Sequence, residues 1–116
     1  MAVSNIPAIY AVPENLTSQL TASEYIESVY NSTCFKVGRV VICNINVNVP
    51  SAAPKNATLI SGFPIPSGIA YTCGSFGSAG NAVRLRIRNN TAPGDLQLDG
   101  TYNDTGYINA LLVYTV

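Results

Sequence analysis

The sequence contains no histidine and no tryptophan, one methionine, and only 10% charged residues. Without histidine, Ser-His-Asp and Cys-His catalysis are excluded, and so are most zinc sites. General acid–base work would fall to Glu14, Glu24, Glu27, Asp95, Asp99 and Asp104. Glu24 and Glu27 read as a solvated pair rather than a glycosidase dyad. Asp99 and Asp104 flank a turn, without the alternating carboxylates of a calcium loop. Gly74-x-x-Gly77-x-x-Gly80 has neither the lysine nor the following helix of a phosphate loop. The sequence therefore predicts a protein that is not an enzyme and carries no cofactor or metal.

Charge is scarce as well as balanced. An average soluble domain has roughly 25% charged residues, whereas here six basic and six acidic residues cancel, with an isoelectric point near 6.1. Such a chain has no global field for nucleic acid or an anionic membrane. Weak mutual repulsion lets copies of it associate. No stretch approaches the roughly 18 apolar residues of a membrane-spanning helix. Met1 to Tyr10 lacks a basic cluster followed by an apolar run, which predicts no signal peptide and assembly in a reducing cytoplasm. Cys34, Cys43 and Cys73 are odd in number and form no CxxC pair, so buried thiols are expected. Chance in an Asn- and Thr-rich composition produces most of the five Asn-x-Ser/Thr sequons, at Asn15, Asn31, Asn56, Asn89 and Asn103, and without a signal peptide no glycosylation is expected.

What is present is two-residue periodicity. In Val40–Val49, Val41, Cys43, Ile45, Val47 and Val49 alternate with Asn44, Asn46 and Asn48, a half-buried strand that Val40 and Ile42 make dry on both faces at one end. Gly38-Arg39 before it predicts a tight hairpin turn, and Pro50 ends it. Shorter strands are expected at 57–60 and 69–73, with a flexible turn over Gly74–Gly80. Val83, Leu85 and Ile87 alternate with Arg84, Arg86 and Arg88; 95–99 alternates again; and 107–116 closes the pattern. Short strands at about ten-residue spacing predict an all-β, antiparallel β-sandwich or jelly-roll-like domain over 30–116. Residues 1–29 read as an N-terminal arm, extended or with one short helical turn at the capping-box-like Thr21-x-x-Glu24.

The final strand is apolar on both faces: Ile108, Ala110, Leu112, Tyr114 and Val116 on one, Leu111 and Val113 with Tyr107 and Asn109 on the other. A small domain has one interior, so the second face needs a partner. That partner is either another stretch of the same chain, such as the N-terminal arm, or a neighbouring subunit, the favoured expectation, with Leu111, Val113, Ile6, Ile9 and Tyr10 as interface candidates. Arg84, Arg86 and Arg88 are candidates for an anionic ligand, and Tyr71, Phe76, Tyr102 and Tyr107 for stacking on a sugar. The competing structural expectation pairs Arg88 with Asp95, Arg86 with Gln97 and Arg84 with Asp99 across a hairpin, which also pins its register.

The order of motifs resembles a known family. Tyr30-Asn-Ser-Thr-Cys-Phe-Lys-Val-Gly-Arg-Val-Val-Ile is similar to the second hairpin of small bacteriophage tail-tip, baseplate and head-fibre knobs. Ser61-Gly-Phe-Pro-Ile-Pro-Ser-Gly, Val83-Arg-Leu-Arg-Ile, Gly94-Asp-Leu-Gln-Leu-Asp-Gly and Gly106-Tyr-Ile-Asn-Ala-Leu-Leu-Val-Tyr-Thr-Val follow in the family's order. Arg39 stands where the family has Asn, and Ala110-Leu111 replaces a small polar pair. The resemblance implies a homotrimeric knob on a virion, joined to other virion proteins through its arm and touching host-surface polysaccharide. Two alternatives stand beside it: a capsid-decorating protein with a purely structural role, and a lectin-like bacterial carbohydrate-binding module.

Overall fold

A computed structural model describes residues 12–116. It shows nine strands: β1 (Glu14–Asn15), β2 (Thr21–Ala22), β3 (Thr33–Val37), β4 (Val40–Val49), β5 (Thr58–Ser61), β6 (Ala70–Phe76), β7 (Asn81–Ile87), β8 (Leu96–Leu98) and β9 (Gly106–Thr115). Every pairing is antiparallel, in the order β1-β3-β4-β9-β6-β7-β8-β5-β2. The antiparallel all-β expectation holds, but hydrogen bonds join all nine strands into one sheet rather than two. The sheet curls into a half-barrel, so its own concave side supplies the enclosure that two facing sheets would otherwise provide.

The curl is legible in the connectivity. β1 and β2 are the two opposite edges of the sheet, yet only residues 16–20 separate them in sequence. A fully extended chain covers at most about 3.3–3.6 Å per residue, so the edges lie within roughly 20 Å of each other. The joining segment is fastened on both sides. Leu16 N–H donates to Cys34 C=O at 2.8 Å, and Thr17 Oγ1 accepts from Cys34 N–H at 3.0 Å. On the other side Gln19 C=O lies so close to Gly62 that a β-carbon there would collide with it. Gly62 also has φ +98°, so glycine is required twice over. An otherwise open sheet thus carries only very short edge strands.

The core follows the alternation. Val41, Cys43, Ile45, Val47 and Val49 of β4 point inward with almost no exposure, beside Ile108, Ala110, Leu112 and Tyr114 of β9 and Val83, Leu85 and Ile87 of β7. The β4–β9 ladder runs unbroken from Val40↔Thr115 to Val49↔Gly106. β3 stops at Thr33↔Asn44, and side chains and loops satisfy β4 beyond it. Ser32 Oγ accepts from Asn46 N–H at 2.9 Å and donates to its C=O at 3.2 Å, and Glu27 N–H donates to Asn48 C=O at 3.2 Å.

Several local expectations are met. Gly38 turns the β3–β4 hairpin with φ +59°, and Pro50 follows the last residue of β4. Others are corrected. Gly74 is not part of a turn: β6 continues to Phe76, and the turn is confined to Gly77–Gly80. Gly74 is there because β9 passes close by, with the Asn109 carbonyl and Ala110 Cβ occupying the space of a side chain. Thr21-x-x-Glu24 caps no α-helix; Thr21–Ala22 is strand, and Ser23 N–H is taken by Leu59 C=O at 3.0 Å. A 3₁₀ turn, Thr17–Gln19, is the one helical element among the described residues of the arm.

Candidate interaction face

The convex side of the sheet collects the residues that the alternation turns away from the core. Neighbouring strands place them in rows. Phe35 of β3 lies opposite Ile42 of β4, which lies opposite Val113 of β9; in the next row Asn44 lies opposite Leu111. Leu111 and Val113 are 61% and 55% exposed, and Phe35, Val40 and Ile42 are also exposed. Farther along the same strands Asn46 faces Asn109 and Asn48 faces Tyr107. One end of the face is therefore apolar and the other amide-rich. The face contains Leu111 and Val113 as the sequence predicted. The contribution of Phe35 was missed, although the dry end of β4 at Val40 and Ile42 already signalled the patch. Ile6, Ile9 and Tyr10 lie outside the described residues.

Across the sheet, β7 supplies the arginines. The register pairs Arg86 with Gln97, as the sequence predicted. Asp99 is the hub. Arg86 Nη1 lies 2.9 Å from its Oδ1, Arg84 Nε lies 3.3 Å from its Oδ2, and Asp99 N–H donates to Arg84 C=O at 2.8 Å. Arg88 bonds Gln97 Oε1 at 3.1 Å rather than Asp95, a departure from the expected pair. Asp95 instead accepts from Thr58 Oγ1 at 3.3 Å, and Gln97 Nε2 donates to that same hydroxyl at 3.2 Å. Gln97 is buried, so its amide is committed to this network. The arginines thus join β5, β7 and β8. The Arg86 side chain is only 13% exposed and is already charge-paired, whereas Arg84 is 53% exposed and its guanidinium carbon sits 4.1 Å from the Tyr71 ring centroid. Arg88 Nε is buried without a partner.

The four aromatic candidates separate. Tyr71 and Tyr107 are exposed. Tyr102 is partly buried, accepting from Arg84 N–H at 3.0 Å and donating to Asp99 C=O at 3.2 Å. Phe76 is 1% exposed and packs with its ring centroid 6.4 Å from that of Tyr102, so it is a core residue and not a surface contact. The turn starts only after it, at Gly77. Of the cysteines, Cys34 and Cys43 are buried as expected, but Cys73 is exposed on the convex side.

β6 and β9 are paired only at Gly74↔Ala110, Ser75↔Asn109 and Phe76↔Ile108. Beyond that they diverge around an open hollow of about 400 Å³, lined by residues 66–71 and 113–115. Thr72 Oγ1, donating to Leu111 C=O, closes one end at 2.6 Å, and Ser67 N–H, donating to Thr115 C=O, closes the other at 3.0 Å. Tyr114 is buried here. Its hydroxyl donates to Pro64 C=O at 2.8 Å, and burial holds the phenol far above its ordinary range. Among the described residues no group of three or more Cys, Asp or Glu side chains is placed to hold a metal ion. No protein-family model matches the chain and no curated protein matches it.

Proposed function

We propose that the chain is a structural protein of a bacteriophage particle. In this reading it is a homotrimeric fibre or spike knob, on tail or head, that assembles through its convex face and helps the particle attach to the host surface. The observation that carries the reading is the contiguous apolar row Phe35–Ile42–Val113 with Leu111 beside it, on the side of the sheet that has no core to face. Contiguous exposed apolar surface on a small domain marks an interaction site. Turning this face toward two neighbouring copies around a three-fold axis would cover the apolar row from water. Light scattering on the purified chain at micromolar concentration tests it. Three times the 12.2 kDa chain mass is expected, and a stable monomer overturns it.

The lectin-like reading has its own support in the exposed Tyr71 ring and Arg84 guanidinium beside the hollow between β6 and β9. It differs in predicting a monomer that binds sugar. Nanomolar binding on a glycan array, lost in Tyr71→Ala, would favour it over assembly.

A further inference from the structure

Cys34 and Cys43 face each other across the β3–β4 hairpin, are both fully buried, and hold their sulfurs 3.3 Å apart. The backbone shows which kind of cross-strand pair this is. The Cys34 N–H and C=O are both engaged on the far side, by Thr17 Oγ1 and Leu16 N–H, so neither is shared with Cys43. The pair is therefore of the non-hydrogen-bonded type, in which Cα atoms approach to about 4.5 Å and side chains come closest. That separation lies within the roughly 4.4–6.8 Å range that a disulfide spans. With the sulfurs already 3.3 Å apart, closing by about 1.2 Å brings them to the bonded distance of about 2.05 Å.

We propose that Cys34 and Cys43 are a redox site that closes to an intrachain disulfide when the protein meets an oxidising thiol pool, the oxidant being a small disulfide such as oxidised glutathione. The Cys34 thiolate attacks one glutathione sulfur, forming a mixed disulfide and releasing one glutathione thiolate. The Cys43 thiolate then attacks Cys34 Sγ and releases the second. Two protein thiols lose two protons and two electrons, and one glutathione disulfide becomes two thiols. The order follows from the hydrogen bond between the sulfurs: Cys43 S–H donates to Cys34 Sγ, which favours the thiolate at Cys34 and disfavours it at Cys43. Access is the slow part, because both thiols are fully buried in the core and an oxidant reaches them only through local opening. The site needs only the hairpin and does not depend on assembly or on a phage.

The test uses the full chain with Cys73→Ser, which removes the exposed competitor. After incubation with millimolar oxidised glutathione and acid quenching, the chain is unfolded in N-ethylmaleimide and weighed intact. Loss of two hydrogens with no maleimide added is expected. Two maleimides, or a lasting glutathione adduct, overturn the proposal. The unmutated chain gives a second measurement that needs no variant. Its Tm should rise by about 5–10 °C on oxidation and fall back on adding dithiothreitol. An unchanged Tm overturns the proposal as firmly.

Discussion

Replacing Ile42, Leu111 and Val113 together by threonine tests whether the convex face is an interface. In the single chain these side chains leave 41%, 61% and 55% of their surface in water. Fully burying one such side chain is worth about 1.5–3 kcal/mol. Covering the exposed fractions of all three is therefore worth about 2.5–5 kcal/mol per chain. Threonine keeps the branched shape that strands favour, but carries a hydroxyl that is costly to bury without a partner. At about 1.4 kcal/mol per decade, the triple variant should lose roughly two to three and a half orders of magnitude in association. Its own folding should change little, because half-exposed positions contribute only about 0.5 kcal/mol each. Sedimentation equilibrium over a concentration series measures the first quantity, and urea unfolding of the dilute protein measures the second. If the unmutated chain is monomeric throughout, or the variant associates as tightly, the face is not an interface and the reasoning fails.

Asp99→Ala should cost about 1–3 kcal/mol in urea unfolding, because Arg86 is left mostly buried with Gln97 at 3.4 Å as its remaining partner; a loss below about 0.5 kcal/mol would mean the ion pair is idle. Gly74→Val should destabilise by about 3 kcal/mol, since a β-carbon collides with Asn109 and lies 2.7 Å from Ala110 Cβ. Gly68→Ala, with nothing within 4 Å, should be neutral, and equal effects would refute the close-approach argument. Burial first, and then the neighbouring Cys43 and Cys34 thiols, raise the Tyr114 phenol above its ordinary 10.0, so the folded state keeps a proton that the unfolded chain releases. That contribution is intact below pH 10 and is lost as pH rises, by up to about 1.4 kcal/mol per pH unit. Tyr114→Phe should flatten the decline between pH 10 and 11 while costing about 1 kcal/mol at pH 7. Parallel slopes for the two proteins would contradict it.

The parts legible in sequence are those that local chemistry dictates. The alternation of Val41, Cys43, Ile45, Val47 and Val49 set both the strand and its buried face, and Gly38 marked the hairpin position that needs a left-handed backbone. The Arg86–Gln97 register was readable because opposite partners recur at matching distances from the loop between β7 and β8. Strand order was not readable, because it depends on which distant segments meet. Nothing in the alternation of β6 says that it lies between β7 and β9, or that β1 and β2 are opposite edges. Gly74 was misread for a related reason: composition does not distinguish a glycine that bends the chain from one that makes room for another strand. That error carried Phe76 out of the core and onto the surface. The hollow between β6 and β9 was invisible, since it exists only where two remote strands diverge.

The position of β9 has a consequence for the order of events in folding. It is the last of the nine strands to be synthesised, yet it lies between β4 and β6, where it joins the β3–β4 hairpin to the β6–β7–β8 group. Until residues 106–115 arrive, those two parts share no strand ladder and each has an unpaired edge. The β4–β9 contacts link residues from Val40↔Thr115 to Val49↔Gly106, separations that make closure slow. The nascent protein therefore passes through a stage in which the apolar alternation of β4 is complete and its ladder groups are unmet, a stage prone to pairing with the wrong chain. A protein built this way depends on residues 106–115 following promptly, and removing β9 should leave two separate fragments of sheet rather than a shortened domain.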